Sequence, residues 1–329
     1  MTQTHDKVAA AFGITHTPGL GNLMDRPSRE QIGRILAGFE VVKQQVSAAR
    51  PDVMIAFVND HFDMFTRRGM PAFAVGAGAT HWGPTPETEA WIQMQRGPVP
   101  GHPEVANAIY QGLMEQGIEP FLFDEAEFVH NVLIPKKYLW PDLDIPVVPI
   151  YVNCFLPPLP SWRRVYELGA AVRRVVDGRG ERVAFMASGG ISHWPPITTN
   201  DMSADDPLVP RLEQLHLLGR DALRLDPALP MALLEREHQM VASGRPLINV
   251  EWDRMILEKL AAGDVAYFSS LTHEAARAEG GDGGLEMMLW VALMGAMRAE
   301  PADIVLYEAV EEWMGGVGLI SYGRALRQG

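Results

Sequence analysis

Three histidines stand directly after apolar runs. Phe12-Gly13-Ile14-Thr15 leads into His16. Val53–Val58 leads through Asn59-Asp60 into His61, and Val183–Ala187 leads through Ser188-Gly189-Gly190-Ile191-Ser192 into His193. Imidazole ligates first-row metals and titrates near neutral pH, so gathered rings make a metal or acid–base site. A single histidine near a strand end is more often a hydrogen-bonded structural residue, and it is the recurrence at three ends that points to chemistry. A fourth group is Glu286, the sole acid of Leu285–Trp290, behind Gly280-Gly281-Asp282-Gly283-Gly284. A first-turn glutamate commonly does no more than complement the helix dipole. It is also available as a ligand, and two histidines with one carboxylate form the facial triad of non-heme Fe(II) oxygenases.

For these groups to meet, the strands carrying them must run parallel, because an open α/β sheet binds ligands outside the carboxyl ends of its strands. Val53–Val58, Pro146–Val152 and Val183–Ala187 read as buried strands, Ala10–Ile14 as a weaker one, and Phe73–Val75 and Phe121–Phe123 as short additions. Helical patterns fill Arg29–Ala49, Pro103–Gln116, Ser161–Val176, Arg211–Leu225, Met231–Ala242, Trp252–Ala261 and Leu285–Ala299. The alternation predicts an α/β fold, a single domain with a central sheet flanked by helices. Gly76–Gly101, with five Gly and four Pro, reads as a long loop. The polar stretch Asn200–Arg245 has no strand candidate and reads as a helical insertion or lid, about 200–245.

Composition narrows the partners. The 329 residues are 47 % apolar and 21 % charged, ordinary for a globular domain with an ample core. Lys plus Arg is 28 and Asp plus Glu 41, so 28 − 41 gives −13. That balance argues against nucleic-acid phosphate and against attachment to anionic lipid. One cysteine, Cys154, excludes an internal disulfide framework. No apolar run approaches the roughly 20 residues of a membrane span, and Met1–Lys7 lacks a signal-peptide layout. A cytoplasmic location is expected. Gly76-Ala77-Gly78 lacks the third glycine of a dinucleotide fingerprint, and Ser188-Gly189-Gly190 is no nucleophile elbow. Cys154 is a nucleophile candidate only by position, since lone buried cysteines are usually inert.

Taken together, these motifs resemble those of the class III extradiol ring-cleavage dioxygenases, the group of protocatechuate 4,5-dioxygenase, gallate dioxygenase and 2,3-dihydroxyphenylpropionate 1,2-dioxygenase. Thr15-His16-Thr17-Pro18 resembles the family's S-H-x-P ligand motif, with Thr15 for Ser, and Asn59-Asp60-His61 its second ligand motif. Gly189-Gly190-Ile191-Ser192-His193 resembles G-G-x-S-H, which carries the acid–base histidine. Glu286-Met287-Met288-Leu289-Trp290 resembles the helix of the third ligand. Val129-His130-Asn131 stands where the family has D-H-G, a histidine near the substrate, with Val129 and Asn131 departing from the pattern. The likeness runs from His16 to about Tyr322. Asn249–Asp253 and Gly280–Trp290 look like the protocatechuate/gallate branch. The 200–245 segment and Glu312–Gly318 look like the dihydroxyphenylpropionate branch.

The resemblance implies Fe(2+) held by His16, His61 and Glu286, with His193 and His130 catalytic and no organic cofactor. Such a site leaves about three open positions, two for adjacent diol oxygens and one for O2. The implied substrate is a small aromatic diol or a trihydroxy ring, with aminophenols and hydroxypyridines as alternatives. A homo-oligomer is implied, and a separate small subunit stays open. Two other classes compete: a Zn-dependent hydrolase on the same ligands, and a non-catalytic partner subunit, whose expected mark, a lost ligand, is missing here. Lys136, Lys137 and Arg163 are candidate partners for a ring carboxylate, and Tyr138, Trp194 and Trp313 candidate pocket walls.

Overall fold

The computed structural model of the protein describes residues 7–200 and 202–323; residues 1–6, read above for a targeting signal, lie outside them. The described residues form ten strands: β1 Val8–Ile14, β2 Val53–Val58, β3 Phe73–Gly76, β4 Thr80–Gly83, β5 Gly97–Pro100, β6 Phe121–Phe123, β7 Val147–Val152, β8 Val183–Ser188, β9 Asp303–Val310 and β10 Gly315–Ser321. Eight form one sheet in the order β6-β3-β7-β2-β8-β1-β10-β9, and β4 pairs with β5 separately. The central strands β7, β2, β8 and β1 are mutually parallel. Their registers align Ile14 with Ser188 and Phe57 with Ala187, so β1, β2 and β8 end level with one another.

Both faces of this sheet are covered, which is why β2 reads as an unbroken apolar run rather than an alternating one. Val53, Ile55 and Phe57 face a layer that includes the helices Trp162–Asp177 and Met287–Ala296. Met54, Ala56 and Val58 face Arg29–Ala49 and His130–Leu139. Burying each large side chain contributes roughly 1.5–3 kcal/mol. Met287–Ala296 is buried along its whole length, as expected of a helix apolar all round. Its start delivers Glu286 to the sheet edge.

Several expectations need correction. Gly76–Gly101 is not a loop: β4 and β5 pair antiparallel around the short helix Glu89–Ile92, and Val99 and His81 are buried. The prolines of β5 obscured it, since proline breaks strand patterns unless it lies at an edge. Arg211–Leu225 is two helices, Val209–Leu218 and Arg220–Leu225, parted at Gly219 with φ +58°, an angle glycine adopts freely. The sheet is mixed, because β10 pairs antiparallel with β1, β9 antiparallel with β10, and β3 antiparallel with β7. The three glycines of β10 weaken its strand signal. The insertion does consist of helices, the last being Leu229–Ala242. A small apolar cluster of Phe62, Phe155, Leu212 and Leu229 lies beneath it. Among the described residues no helix is long and apolar enough to cross a membrane.

Candidate active site

His16, His61, His130, His193 and Glu286 all line one cavity at the carboxyl ends of the parallel strands. His16 is 3 % exposed. Its Nδ1 lies 2.9 Å from Ser188 Oγ, at the end of β8, which fixes the ring and turns Nε2 to within 3.1 Å of Glu286 Oε2. A partner on the outer nitrogen is the usual way to orient a ligand histidine. Thr15 anchors the same turn: its hydroxyl accepts from the Gly318 N–H at 3.1 Å. His61 Nε2 stands 3.6 Å from Glu286 Oε1 and 3.3 Å from Asn59 Nδ2. The next residue, Phe62, is held at φ +69°, a strained angle for a bulky side chain and one that clusters at functional turns.

Glu286 is 1 % exposed and accepts from the Gly190 N–H at 2.5 Å. Burial opposes its charge, but His16, His61 and His193 prevail and hold the carboxyl well below its ordinary range. Burial also lowers the His16 pKa, against the attraction of Glu286. The pocket thus holds a buried carboxylate beside two rings pulled in opposite directions, since burial lowers the His61 pKa less than Glu286, Asp63 and Asp60 raise it. His61 Nδ1 and His130 Nδ1 are buried without hydrogen-bond partners. This donor set suits a divalent cation, which would neutralise the buried anion and needs deprotonated ligands.

His193 is built differently. Its Nδ1 lies 3.0 Å from the Ile191 carbonyl. A carbonyl only accepts, so Nδ1 carries a proton, which leaves the lone pair of the neutral ring on Nε2. Nε2 is 3.8 Å from Glu286 Oε1. The ring is clasped between two backbones: a Cβ at either Gly190 or Gly283 would fall 2.1 Å from His193 Cε1. The glycine-rich stretch and the strand-end loop also interlock, His193 N–H donating to Gly280 O at 3.0 Å and Gly283 N–H to His193 O at 3.1 Å. Ser192 bonds to residues distant in the chain. Its hydroxyl accepts from Asn249 N–H at 2.7 Å, and its own N–H donates to Asp253 Oδ1 at 2.8 Å.

His130 sits at the start of the helix His130–Leu139, its ring centroid 4.9 Å from that of His16 and 4.3 Å from that of His61. Asn131, the departure from the family pattern, has a job: its Nδ2 donates to Asn59 O at 2.8 Å and ties this turn to the His61 loop. Burial and the neighbouring histidines hold the His130 pKa well below 6.5. Ligand nitrogens of His16, His61 and His130 lie within 4.8 Å of one another, so His130 is a geometric rival of Glu286 as third ligand.

Of the other candidates, Trp194 and Trp313 line the cavity and Tyr138 does not; its hydroxyl donates to Leu20 O at 2.7 Å. The proposed carboxylate partners are absent from the lining. Lys137 Nζ donates to the carbonyls of Gly21 and Ile92, Lys136 to that of Leu143, and Arg163 pairs with Glu167 on an exposed helix face. Cys154 is buried and does not line the cavity, and burial, with the nearby Glu286 charge, pushes its thiol well above the ordinary range, which disfavours the nucleophilic thiolate. Sequence reasoning missed Trp91, which meets His130 at 5.0 Å. It also missed two buried acids. Asp253 accepts from Tyr307 at 2.7 Å as well as from Ser192. Asp282 accepts from Thr198, from Asn200 and from Arg277 at 2.6 Å. Their positions within the quoted motifs were the available signal.

Residues 10–320 match the family described as the catalytic LigB subunit of aromatic ring-opening dioxygenase. A 2,3-dihydroxyphenylpropionate/2,3-dihydroxicinnamic acid 1,2-dioxygenase of Burkholderia vietnamiensis is 31 % identical over 318 residues, 93 % of this chain and 94 % of that one. Its namesake in Cupriavidus necator is 29 % identical over 309 residues, 92 % and 94 %. The Escherichia coli namesake is 27 % identical over 323 residues, 94 % and 96 %. Among solved structures, an uncharacterized protein of Escherichia coli K12 shares the fold with a TM-score of 0.50 at 16 % identity, over 95 % of this chain and 99 % of that one.

Proposed function

The chain belongs to the family of the catalytic LigB subunit of aromatic ring-opening dioxygenases and is an extradiol ring-cleavage enzyme acting on a catecholic ring; from that premise we propose how its residues divide the work. His16, His61 and Glu286 hold Fe(II). The observation that carries this assignment is the buried Glu286 carboxylate, whose two oxygens face Nε2 of both histidines. Fe(II), when bound, supplies coordination for the two diol oxygens and for O2, and a path for electrons between them.

The rest falls to side chains. His193 Nε2, with its lone pair toward the cavity, takes the proton of a diol hydroxyl and returns it during ring opening. His130, kept neutral by its surroundings, lies beside the ligands as a hydrogen-bonding partner for the substrate. Trp91, Phe155 and Trp313 wall the ring in and exclude water. Aminophenols and hydroxypyridines present similar adjacent donors and belong on the same assay panel. The enzyme works as a cytoplasmic homo-oligomer, which light scattering checks against the one-chain mass of 36.3 kDa.

The test is anaerobic reconstitution with Fe(II) or Zn(II), followed by air and a catechol panel. Yellow ring-opened product with Fe(II) alone is expected. Hydrolysis by the Zn(II) form without ring opening would overturn the reading. Metal analysis of His130→Ala decides between the two ligand sets, since the assignment requires that variant to keep its metal.

A further inference from the structure

The cavity that holds these groups has a volume of about 750 Å³, whereas a cavity of roughly 150 Å³ suffices for benzene. Room therefore remains for a substituent well beyond the ring. One wall of that room comes from the helix Leu229–Ala242, which presents Pro230, Leu233, Leu234, Glu237 and Met240. These positions recur every three or four residues and so share one face of the helix. Four carboxylates line the cavity, namely Asp63, Glu237, Glu286 and Glu312, and among the described residues lining it there is no lysine or arginine.

The cations nearby are committed. Arg220, 4.0 Å from Asp63, is also met by Glu87 at 2.8 Å and Glu127 at 4.0 Å. Arg245 is exposed and lies over the Trp194 ring at 5.4 Å. Glu286 is spoken for by the histidines. Glu237 is different: it is half-buried on an apolar wall, and among the described residues no lysine or arginine pairs with it. A carboxylate arriving beside it would meet a like charge in a poorly solvated site, with His238 as the charged neighbour and no lysine or arginine among the described lining residues to offset the cost.

We propose that this cavity takes catechols bearing an uncharged apolar substituent, an alkyl or aryl group, and discriminates against substituents ending in a carboxylate, with Glu237 setting that preference. This rests on the ring-cleavage reading above and sets the chain apart from relatives named for a phenylpropionate substrate.

The experiment compares catechol, 3-propylcatechol and 3-(2,3-dihydroxyphenyl)propionate, the last two alike in chain length but for the terminal charge. Two readouts are used: kcat/KM of the Fe(II)-loaded enzyme, and Kd for the metal-free protein from quenching of cavity tryptophan fluorescence. Propylcatechol should exceed the propionate by on the order of tenfold in both. Glu237→Gln should narrow that ratio and Glu237→Lys should invert it. Glu235→Gln, the same charge change at an exposed position outside the lining, should leave it alone. Equal or better handling of the propionate overturns the proposal, as does a ratio indifferent to Glu237→Lys. A propionate preference that disappears in Arg245→Gln would also overturn it and assign recognition to that residue. If no catechol is cleaved, it is the ring-cleavage reading that fails, and the binding ratio still decides the charge preference.

Discussion

The strand-end loops and the helix Leu229–Ala242 line the same cavity under opposite constraints. Three of the side chains at the sheet edge are held by residues far away in the chain: His16 by Ser188, Glu286 by Gly190, and His193 by the backbones of Gly280 and Gly283. The helix buries only Leu229 fully. Its neighbourhood is tied down by Arg236–Asp206 and Arg211–Asp226, partly exposed ion pairs of a kind worth about 0–1 kcal/mol each. The difference is physical. Ligation and proton transfer need groups placed within fractions of an ångström, which only a rigid, over-determined frame supplies. Selecting a substituent needs only shape and charge, which a half-exposed helix face can present.

The sharpest way to break this contrast is to remove a ligand. His61→Ala and Glu286→Ala should each lose stoichiometric iron and turnover together, while the fold, carried by the sheet core, survives. Iron retained by either variant on metal analysis would refute the ligand assignment. Next in size is His193→Phe. It should keep iron and still bind catechol, while kcat falls by ~10²–10⁴-fold. Loss of iron there would make His193 a ligand instead.

Smaller again is Gly283→Ala. The added methyl must displace the His193 ring, and a misplacement near 1 Å costs about 10²-fold in turnover. Iron content should not change, which separates it from the ligand variants.

Asp253 sharpens the comparison through pH. Burial raises its carboxyl to about 6, against the opposing bonds from Tyr307 and Ser192. The folded-state value lies above the unfolded 3.8. Its contribution is therefore greatest below pH 3.8 and is lost as pH rises toward 6, a swing of about 3 kcal/mol. Asp253→Asn should flatten that part of the Tm–pH curve. A curve that keeps the wild-type slope would show that Asp253 is not the titrating group. The smallest effect belongs to the helical wall. Met231→Gln, at a side chain 66 % exposed, should shift stability by no more than about 0.5 kcal/mol in urea unfolding. Leu289→Ala, in the buried helix behind Glu286, should cost about 2–5 kcal/mol.

Local pattern was enough to read the parallel core and the groups it delivers. Apolar runs such as Val53–Val58 and Val183–Ala187 declare buried strands whatever surrounds them, and His16, His61 and His193 follow within a few residues. Glu286 was legible for the same reason, as a lone acid opening an apolar helix. Periodicity did not reveal β9 and β10, because β10 carries three glycines and its pairing depends on β1. Nor did it show that Asp253 latches the His193 loop, that Asn131 braces His61, or that Lys136, Lys137 and Arg163 point to duties elsewhere. Apart from the local contacts of Lys136 and Arg163, those outcomes join residues far apart in the chain: Ser192 and Asp253 are 61 positions apart, Asn59 and Asn131 72, Gly21 and Lys137 116, and β1 and β10 lie near opposite ends. Chain-local propensity carries no information about such partners. They are decided by the order in which strands assemble, by which loops then share an edge, and by the cost of leaving a buried polar group unpaired.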